Sequence, residues 1–343
     1  MARFSLITNS FWGGVTRVFN TLEILLKKEY PDSTVFKEFL STNTFSFSIL
    51  RDIRSNPPDV LFIGGWDNTL KTLVHNIDRN KTKVILVWCS PLTQVDLGGE
   101  LGRFLDVWNL SQSGMISNVC LGVESNYQAL NPTNKSISFT PFYFEENELD
   151  PYRQIVEKSS EFDSSKIHCD FFCAPCPRKN IFAQICSLSQ FKENINPHFN
   201  YTDAGEGMRY IEAASSLLSN ITNHGFLETQ NYFSLIRQMD FGMQVTLSES
   251  FNYVAAEHMY MSIPVVLSKA TPFVRYHNDD ISGLIVDSPE DTRQISEIAG
   301  KIILDPVFRK EMGEVCFQYI KKYNDSSKSI FTENIKQMIS KGQ

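Results

Sequence analysis

The chain has 343 residues, 42% hydrophobic and 21% charged, with a formal net charge of −7. This length favours two domains over a single core. The acidic balance argues against a non-specific binder of nucleic acid or anionic membrane, and leaves room only for a local basic groove. Seven scattered cysteines, an odd number, fit a reduced cytoplasmic setting better than a disulfide framework. The opening MARFSLIT is too short for a signal-peptide core. No window approaches the roughly 18 apolar residues of a membrane span.

Hydrophobic patterning predicts strands alternating with helices. Residues 3–8 read as a buried strand, Ser10 to Gly14 as a tight turn, and Val15 to Lys28 as an amphipathic helix. Gly13 and Gly14 would let the backbone approach a ligand at a helix N-terminus, or simply make the turn. Strands follow at 34–39, 59–63, 83–88, 118–121 and 136–139, with helices near 45–54, 67–77 and 97–110. Runs apolar on both faces indicate a parallel sheet covered by helices.

Residues 141–165 are acidic, polar and contain two prolines, and read as an interdomain linker between domains at 1–150 and 166–326. The alternation then restarts. Strands are expected at 168–174, 198–202, 224–227, 241–247, 264–268 and 283–286. Helices are expected at 180–189, 207–218, 231–239, 290–303, 306–323 and 327–340. The last of these is expected to cross back onto the first domain. The fold class is α/β, with two Rossmann-like doubly wound domains facing across a cleft and ligands at the carboxyl ends of the strands.

The chemistry concentrates in residues 240–268, DFGMQVTLSESFNYVAAEHMYMSIPVVLS. Asn252 is a good N-cap, which starts a helix near Tyr253 and turns its amides toward the preceding loop. Glu249 lies ahead of that helix and Glu257 one turn inside it. A carboxylate accepts hydrogen bonds from a vicinal diol. An anion-binding helix end flanked by two such carboxylates suits a sugar–diphosphate–ribose ligand, a nucleotide sugar. The bland reading is two ordinary surface carboxylates. Phe251 and Tyr253 read as core residues or as flanks for a sugar or base. His258 is expected to point away from the site.

This stretch resembles the signature of family-4 retaining glycosyltransferases of the GT-B architecture, E-G-F-G-x-x-x-x-E-A-M-A-x-G-x-P-V-V. The likeness extends to His224-Gly225-Phe226-Leu227 and Asp240. The resemblance implies that Glu249 contacts donor-sugar hydroxyls and Glu257 the nucleotide ribose. It also implies that the loop amides at Phe251, Asn252 and Tyr253 hold the diphosphate, with Ser250 in the same donor-binding loop. The family's glycines are replaced by Ser250 and Asn252, and Ile263 stands for the glycine before Pro264.

Cys173-Ala174-Pro175-Cys176-Pro177-Arg178-Lys179-Asn180 is similar to the family's G-R-x-x-P-x-K-G turn. The resemblance implies that Lys179 neutralises the leaving diphosphate. The family arginine falls on Ala174, so Arg178 is the candidate to replace it. Gly13, Gly14 and Arg17 resemble the family's G-G-x-x-R loop over the donor phosphates. Arg178 and Lys179 read alternatively as a solvated helix start, and Arg17 as a surface helix residue.

The resemblance implies transfer of a sugar from a UDP-, GDP- or ADP-linked donor to a hydroxyl of a glycan, lipid-linked glycan or protein. The composition has a viral or phage flavour, which would place the chain in a host cytoplasm and admits a hydroxylated base in phage DNA as acceptor. A nucleotide-sugar epimerase or hydrolase, or a non-catalytic sugar-nucleotide binder, is the alternative on the same fold. No obligatory cofactor or metal is expected, because no Asp-x-Asp stands at a strand end. His168, Cys169, Cys173 and Cys176 have the look of a metal cluster, but two of the cysteines fall on a predicted strand and packed thiols are expected. Asp67 and Glu100 are unranked first-domain carboxylates.

Overall fold

The computed structural model describes residues 2–9, 13–39, 47–91, 94–95, 100–154, 159–160, 162–202, 205–274 and 280–340. Ser10, Phe11 and Trp12 of the predicted glycine turn lie outside them, as do the first residues of the helices expected from 45 and from 97. Contacts divide the chain into two units, Met1–Phe144 with Asn324–Gln343, and Glu145–Tyr323.

The first unit begins β1 (Arg3–Thr8), α1 (Gly14–Glu29), β2 (Thr34–Phe39), α2 (Phe47–Ser55), β3 (Val60–Gly64), α3 (Asn68–His75) and β4 (Lys83–Trp88). It continues with α4 (Leu101–Gln112), β5 (Asn118–Leu121), α5 (Glu124–Leu130) and β6 (Ile137–Phe139). The strands form one parallel sheet in the order β2-β1-β3-β4-β5-β6. Strands such as Val60–Gly64 are buried along their whole length, as a sheet covered on both faces requires. On one face Ile7, Leu61, Ile63 and Leu86 join a buried cluster with Leu70, Leu73 and Val74 of α3. α1 buries Val18, Phe19, Leu22, Leu25 and Leu26. It lies so close to the sheet that a Cβ on Gly64 would stand 2.5 Å from the Phe19 ring.

The second unit contains α6 (Asp150–Arg153), β7 (Ile167–Asp170), α7 (Ile181–Leu188), β8 (Ile195–Phe199), α8 (Glu206–Leu217), β9 (Thr222–Asn223) and α9 (Thr229–Ile236). After these come β10 (Phe241–Gln244), α10 (Tyr253–Tyr260), β11 (Val265–Ser268), β12 (Ile285–Val286) and α11 (Thr292–Leu304). Its parallel sheet runs β12-β11-β10-β7-β8-β9. The chain first builds outward from β7 to β9, then returns to the other side of β7 with β10. The order therefore reverses between β7 and β10, and the chain goes on from those two strands toward opposite edges of the sheet. In doubly wound sheets such a reversal opens the ligand crevice.

The structure departs from the sequence expectations in identifiable ways. β7 ends at Asp170 rather than at 174, because Asp170 Oδ1 accepts from Phe172 N at 3.2 Å and turns the chain out of the sheet. Cys173 therefore lies beyond the strand, not on it. β8 starts earlier than expected and carries Pro197 inside it. β9 is two residues long and precedes the expected 224–227, and β10 stops at Gln244. The helix at Glu124–Leu130 was not anticipated.

The two C-terminal helices expected at 306–323 and 327–340 are one helix, α12 (Pro306–Ser340). The polar run Tyr323 to Lys328 reads as a break, but it contains no proline or glycine to stop a helix. Instead Asn324 and Ser327 are buried, and Asn324 is hydrogen-bonded to both the N–H and the carbonyl of Phe144 at 3.0 Å. Among the described residues no helix is long and apolar enough to cross a membrane.

Candidate functional site

The loop leaving β7 carries the first half of the site. Phe171 to Cys176 runs irregularly into a single 3-10 turn, Pro177–Lys179. Asn180 then takes a left-handed conformation, φ 53°, from which α7 departs. Asparagine is among the few residues with a side chain that tolerate this region. Gln184, buried inside α7, braces the turn. Its Nε2 donates to the carbonyls of Lys179 (2.8 Å) and Asn180 (3.2 Å), and its Oε1 accepts from Val245 N (3.0 Å). Leu247 N donates to Arg178 O at 2.7 Å, so the two loops leaving β7 and β10 are stitched together.

Glu249 is at the centre. Lys179 Nζ lies 2.5 Å from its Oε1 and Arg178 Nη1 3.1 Å from its Oε2. Arg178 also donates to Ser248 O at 3.1 Å. The Lys179 and Glu249 side chains are 8% and 6% exposed, and Arg178 20%, so the group is screened from solvent and its charges sum to +1. Burial pushes the nearby Cys173 thiol up to about 11, against the pull of the Lys179 charge. The three residues predicted to carry catalysis thus converge from two loops at the switch point.

The second half of the site is α10. Asn252 caps it, with φ 77° and ψ 70°, and its side chain accepts from Ala255 N at 3.3 Å. Helix geometry leaves the first-turn amides, at Tyr253 and Val254, with no intrahelical acceptor. The predicted helix start and cap agree with this. Phe251 is 2% exposed, and its ring packs on Tyr253, Phe273 and Tyr323 with centroids 4.7, 5.7 and 6.3 Å away. That side chain is core, and only its backbone borders the loop.

Glu257 is 1% exposed and its Oε2 accepts from Tyr232 OH of α9 at 2.9 Å. His258 points back under the sheet, where Nε2 meets Asp170 Oδ2 at 2.6 Å and Nδ1 faces Val254 O at 2.7 Å. A carbonyl only accepts, so Nδ1 carries a proton. Gly242 leaves the space for this ring, since a Cβ there would lie 3.1 Å from His258 Cδ2.

One reading at the end of α10 changes. The left-handed residue that substitutes for a glycine is Ser262, φ 61°, not Ile263, which is buried in ordinary backbone. α12 approaches here so closely that a Cβ on Gly313 would stand 2.3 Å from Ser262 O.

The remaining predicted residues lie elsewhere. Gly13 (φ 79°), Gly14 and Arg17 sit at the start of α1 in the first unit, with Arg17 N donating to Gly13 O at 3.3 Å. Asp67 caps α3, accepting from Leu70 N at 2.9 Å and Asn9 Nδ2 at 3.1 Å, and Glu100 accepts from Gln94 at 3.3 Å. His168 Nδ1 faces His198 Nε2 at 2.9 Å, and His198 Nδ1 faces His224 Nε2 at 2.9 Å. Cys173 lies beside Tyr201 OH at 3.6 Å. Among the described residues no group of three or more His, Cys, Asp or Glu is placed to hold a metal ion.

Sequence reasoning missed Gln184, Tyr232 and Asp170. Gln184 and Asp170 had a signal, being polar residues within an apolar helix and an apolar strand. Tyr232 had none.

Residues 176–318 match the family model "Glycosyl transferases group 1". The chain carries a group 1 glycosyltransferase domain. That domain contains Arg178, Lys179, Glu249, Asn252 and Glu257, and leaves out Gly13, Gly14 and Arg17. No curated protein matches the sequence. Solved structures match the whole chain. HepE of Anabaena, determined in complex with UDP and glucose, superposes with a TM-score of 0.76 at 13% identity, covering 99% of this chain and 100% of that one. Sucrose-phosphate synthase from Thermosynechococcus elongatus gives 0.73 at 11% identity, covering 99% and 100%. A glycosyltransferase from Rickettsia africae ESF-5 gives 0.69 at 14% identity, covering 100% and 99%. The fold that carries the group 1 domain is GT-B, with two Rossmann-like units.

Proposed function

We propose that the protein transfers a sugar from a nucleotide-sugar donor to a hydroxyl acceptor with retention of anomeric configuration. The observation that carries this reading is the buried Arg178–Glu249–Lys179 group at the β7/β10 switch point, beside the capped N-terminus of α10. An anionic diphosphate at that position meets two cations and the positive end of a helix. These groups stabilise the charge that develops on the leaving diphosphate as the glycosidic bond breaks. Glu249 receives hydroxyls of the donor sugar, and Glu257 those of the ribose.

HepE was solved with UDP and glucose, which favours UDP-glucose as the first donor to try. With retention, the leaving phosphate oxygen takes the proton of the acceptor hydroxyl. No base on the far face of the sugar is then required, and turnover persists in chelator. Acceptor recognition is assigned to the first unit, which carries Gly13, Gly14 and Arg17 at the start of α1.

The test is a thermal-shift panel of UDP-, GDP- and ADP-sugars, followed by turnover with and without candidate acceptors. One donor class raises the melting temperature, and Glu249→Ala abolishes transfer while that donor still binds. Full transfer by Glu249→Ala removes the proposal. Free sugar released at the same rate without any acceptor would replace it with a hydrolase.

A further inference from the structure

We infer that the side chain of Asn252, and not only the loop backbone, is a ligand of the donor's diphosphate, with Nδ2 donating to a phosphate oxygen. This rests on the donor-site reading above and adds to it a contact that a glycine at this position could not make.

The backbone of Asn252 is left-handed, φ 77° and ψ 70°, a conformation that glycine adopts without penalty and asparagine tolerates. The loop therefore keeps the path of a glycine loop and gains a side chain. The amide's orientation is fixed by its neighbour. Ala255 N–H can only donate, so the atom 3.3 Å away is Oδ1, and Nδ2 is at the opposite end of the amide. An N-cap side chain lies across the end of its helix, so Nδ2 is placed at the N-terminal end of α10.

Asn252 is 5% exposed, and Nδ2 has no hydrogen-bond acceptor among the described residues. A buried amide donor left unsatisfied costs about 1–3 kcal/mol. Native structures keep such groups rarely, and a bound partner that supplies the acceptor is one reason to keep them.

The missing partner is an anionic acceptor. Nδ2 has two N–H groups and no lone pair to offer. It sits at the positive end of α10, in the loop that also carries the Glu249 carboxylate with its two cations. A phosphate oxygen satisfies the amide, and it satisfies the same helix end.

Aspartate separates this role from simple capping. Asn252→Asp keeps an oxygen for Ala255 N, and an acidic N-cap suits the helix dipole, so the fold is retained. It removes both donors and puts a negative charge against the phosphate. The assay is calorimetric titration of the full chain with UDP, GDP and ADP, and with the matching nucleosides. The expected result is a melting temperature within about two degrees of wild type and at least about tenfold weaker binding of the nucleoside diphosphate. Nucleoside binding should be unchanged. Asn252→Gly, which suits the backbone but lacks any side chain, should also lose affinity.

Equal diphosphate affinity in wild type and Asn252→Asp overturns the inference and leaves the donor-site reading intact. A wild-type protein that binds none of the three diphosphates overturns both.

Discussion

Deleting Glu249 strands two cations, whereas deleting Lys179 leaves Glu249 with Arg178. The two single variants should therefore differ, and the double variant should be milder than the worse single. At an effective dielectric constant of 20, charges 2.5 Å apart attract by about 6–7 kcal/mol. Desolvation of each ion opposes this by several kcal/mol, so the net worth of the intact pair is small. Removing one partner is different, because the other stays buried without compensation, at about 3–5 kcal/mol.

Lys179, 8% exposed, cannot reach water as Arg178 can at 20%. Glu249→Ala should thus lower the melting of the second unit by roughly 10 °C, at about 2–4 °C per kcal/mol for a unit of this size. Lys179→Met should cost less than half of that. Lys179→Met with Glu249→Ala should melt above Glu249→Ala alone, giving a coupling energy of at least about 1.5 kcal/mol. Differential scanning calorimetry of the four proteins decides it. A double variant whose loss equals the sum of the two single losses would refute the argument that Lys179 depends on Glu249.

Three further outcomes follow from the site's geometry. Tyr232→Phe removes the hydrogen bond to buried Glu257, which should cost about 1.5–3 kcal/mol in stability and raise the donor KM more than it lowers kcat; a variant unchanged in both refutes a positioning role. Gln184→Met keeps the volume but leaves the Lys179 carbonyl and Val245 N–H without their partner, so Tm should fall and nucleoside diphosphate binding weaken together, and a fall in Tm alone would confine Gln184 to the fold.

Burial holds the His224 imidazole below its ordinary value of 6.5. The unfolded chain then takes up the proton at higher pH than the folded one. The stability carried by neutral His224 is fully present above 6.5 and is lost as the pH falls from there through the folded value. Melting temperatures should decline between pH 7.5 and 5.5, and His224→Gln should flatten the decline; parallel curves would refute it.

The alternation of strand and helix was legible because each buried strand is a short apolar run and each helix a 3.6-residue pattern. VILVW at 84–88 and VVLS at 265–268 carry that signal in full. The Asn252 cap was legible because capping is local chemistry. Three other features were not. Strand ends depend on pairing partners far away in sequence, so β7 and β10 were read three or four residues too long. The continuity of α12 depends on Phe144, whose backbone satisfies Asn324 some 180 positions away. The charge group was legible as three residues, but not as a group, because Arg178 and Lys179 stand 70 or so positions from Glu249. Tyr232 meets Glu257 only through the packing of α9, which no local pattern reports.

Asn180, Asn252 and Ser262 are all left-handed, and all three mark the loops and helix ends around this site. Glycine would hold the same backbone in the folded state with less strain. It would also widen the range of shapes open to the unfolded chain and to the loops themselves. A chain with side chains at these hinges accepts of the order of a kcal/mol of strain at each, and in return its loops have few alternative shapes to visit. Loops with few alternative shapes give up less conformational entropy when they are ordered by a ligand. Replacing these residues with glycine would make the same site slower to assemble around its ligand, without removing a single one of the charges that attract it.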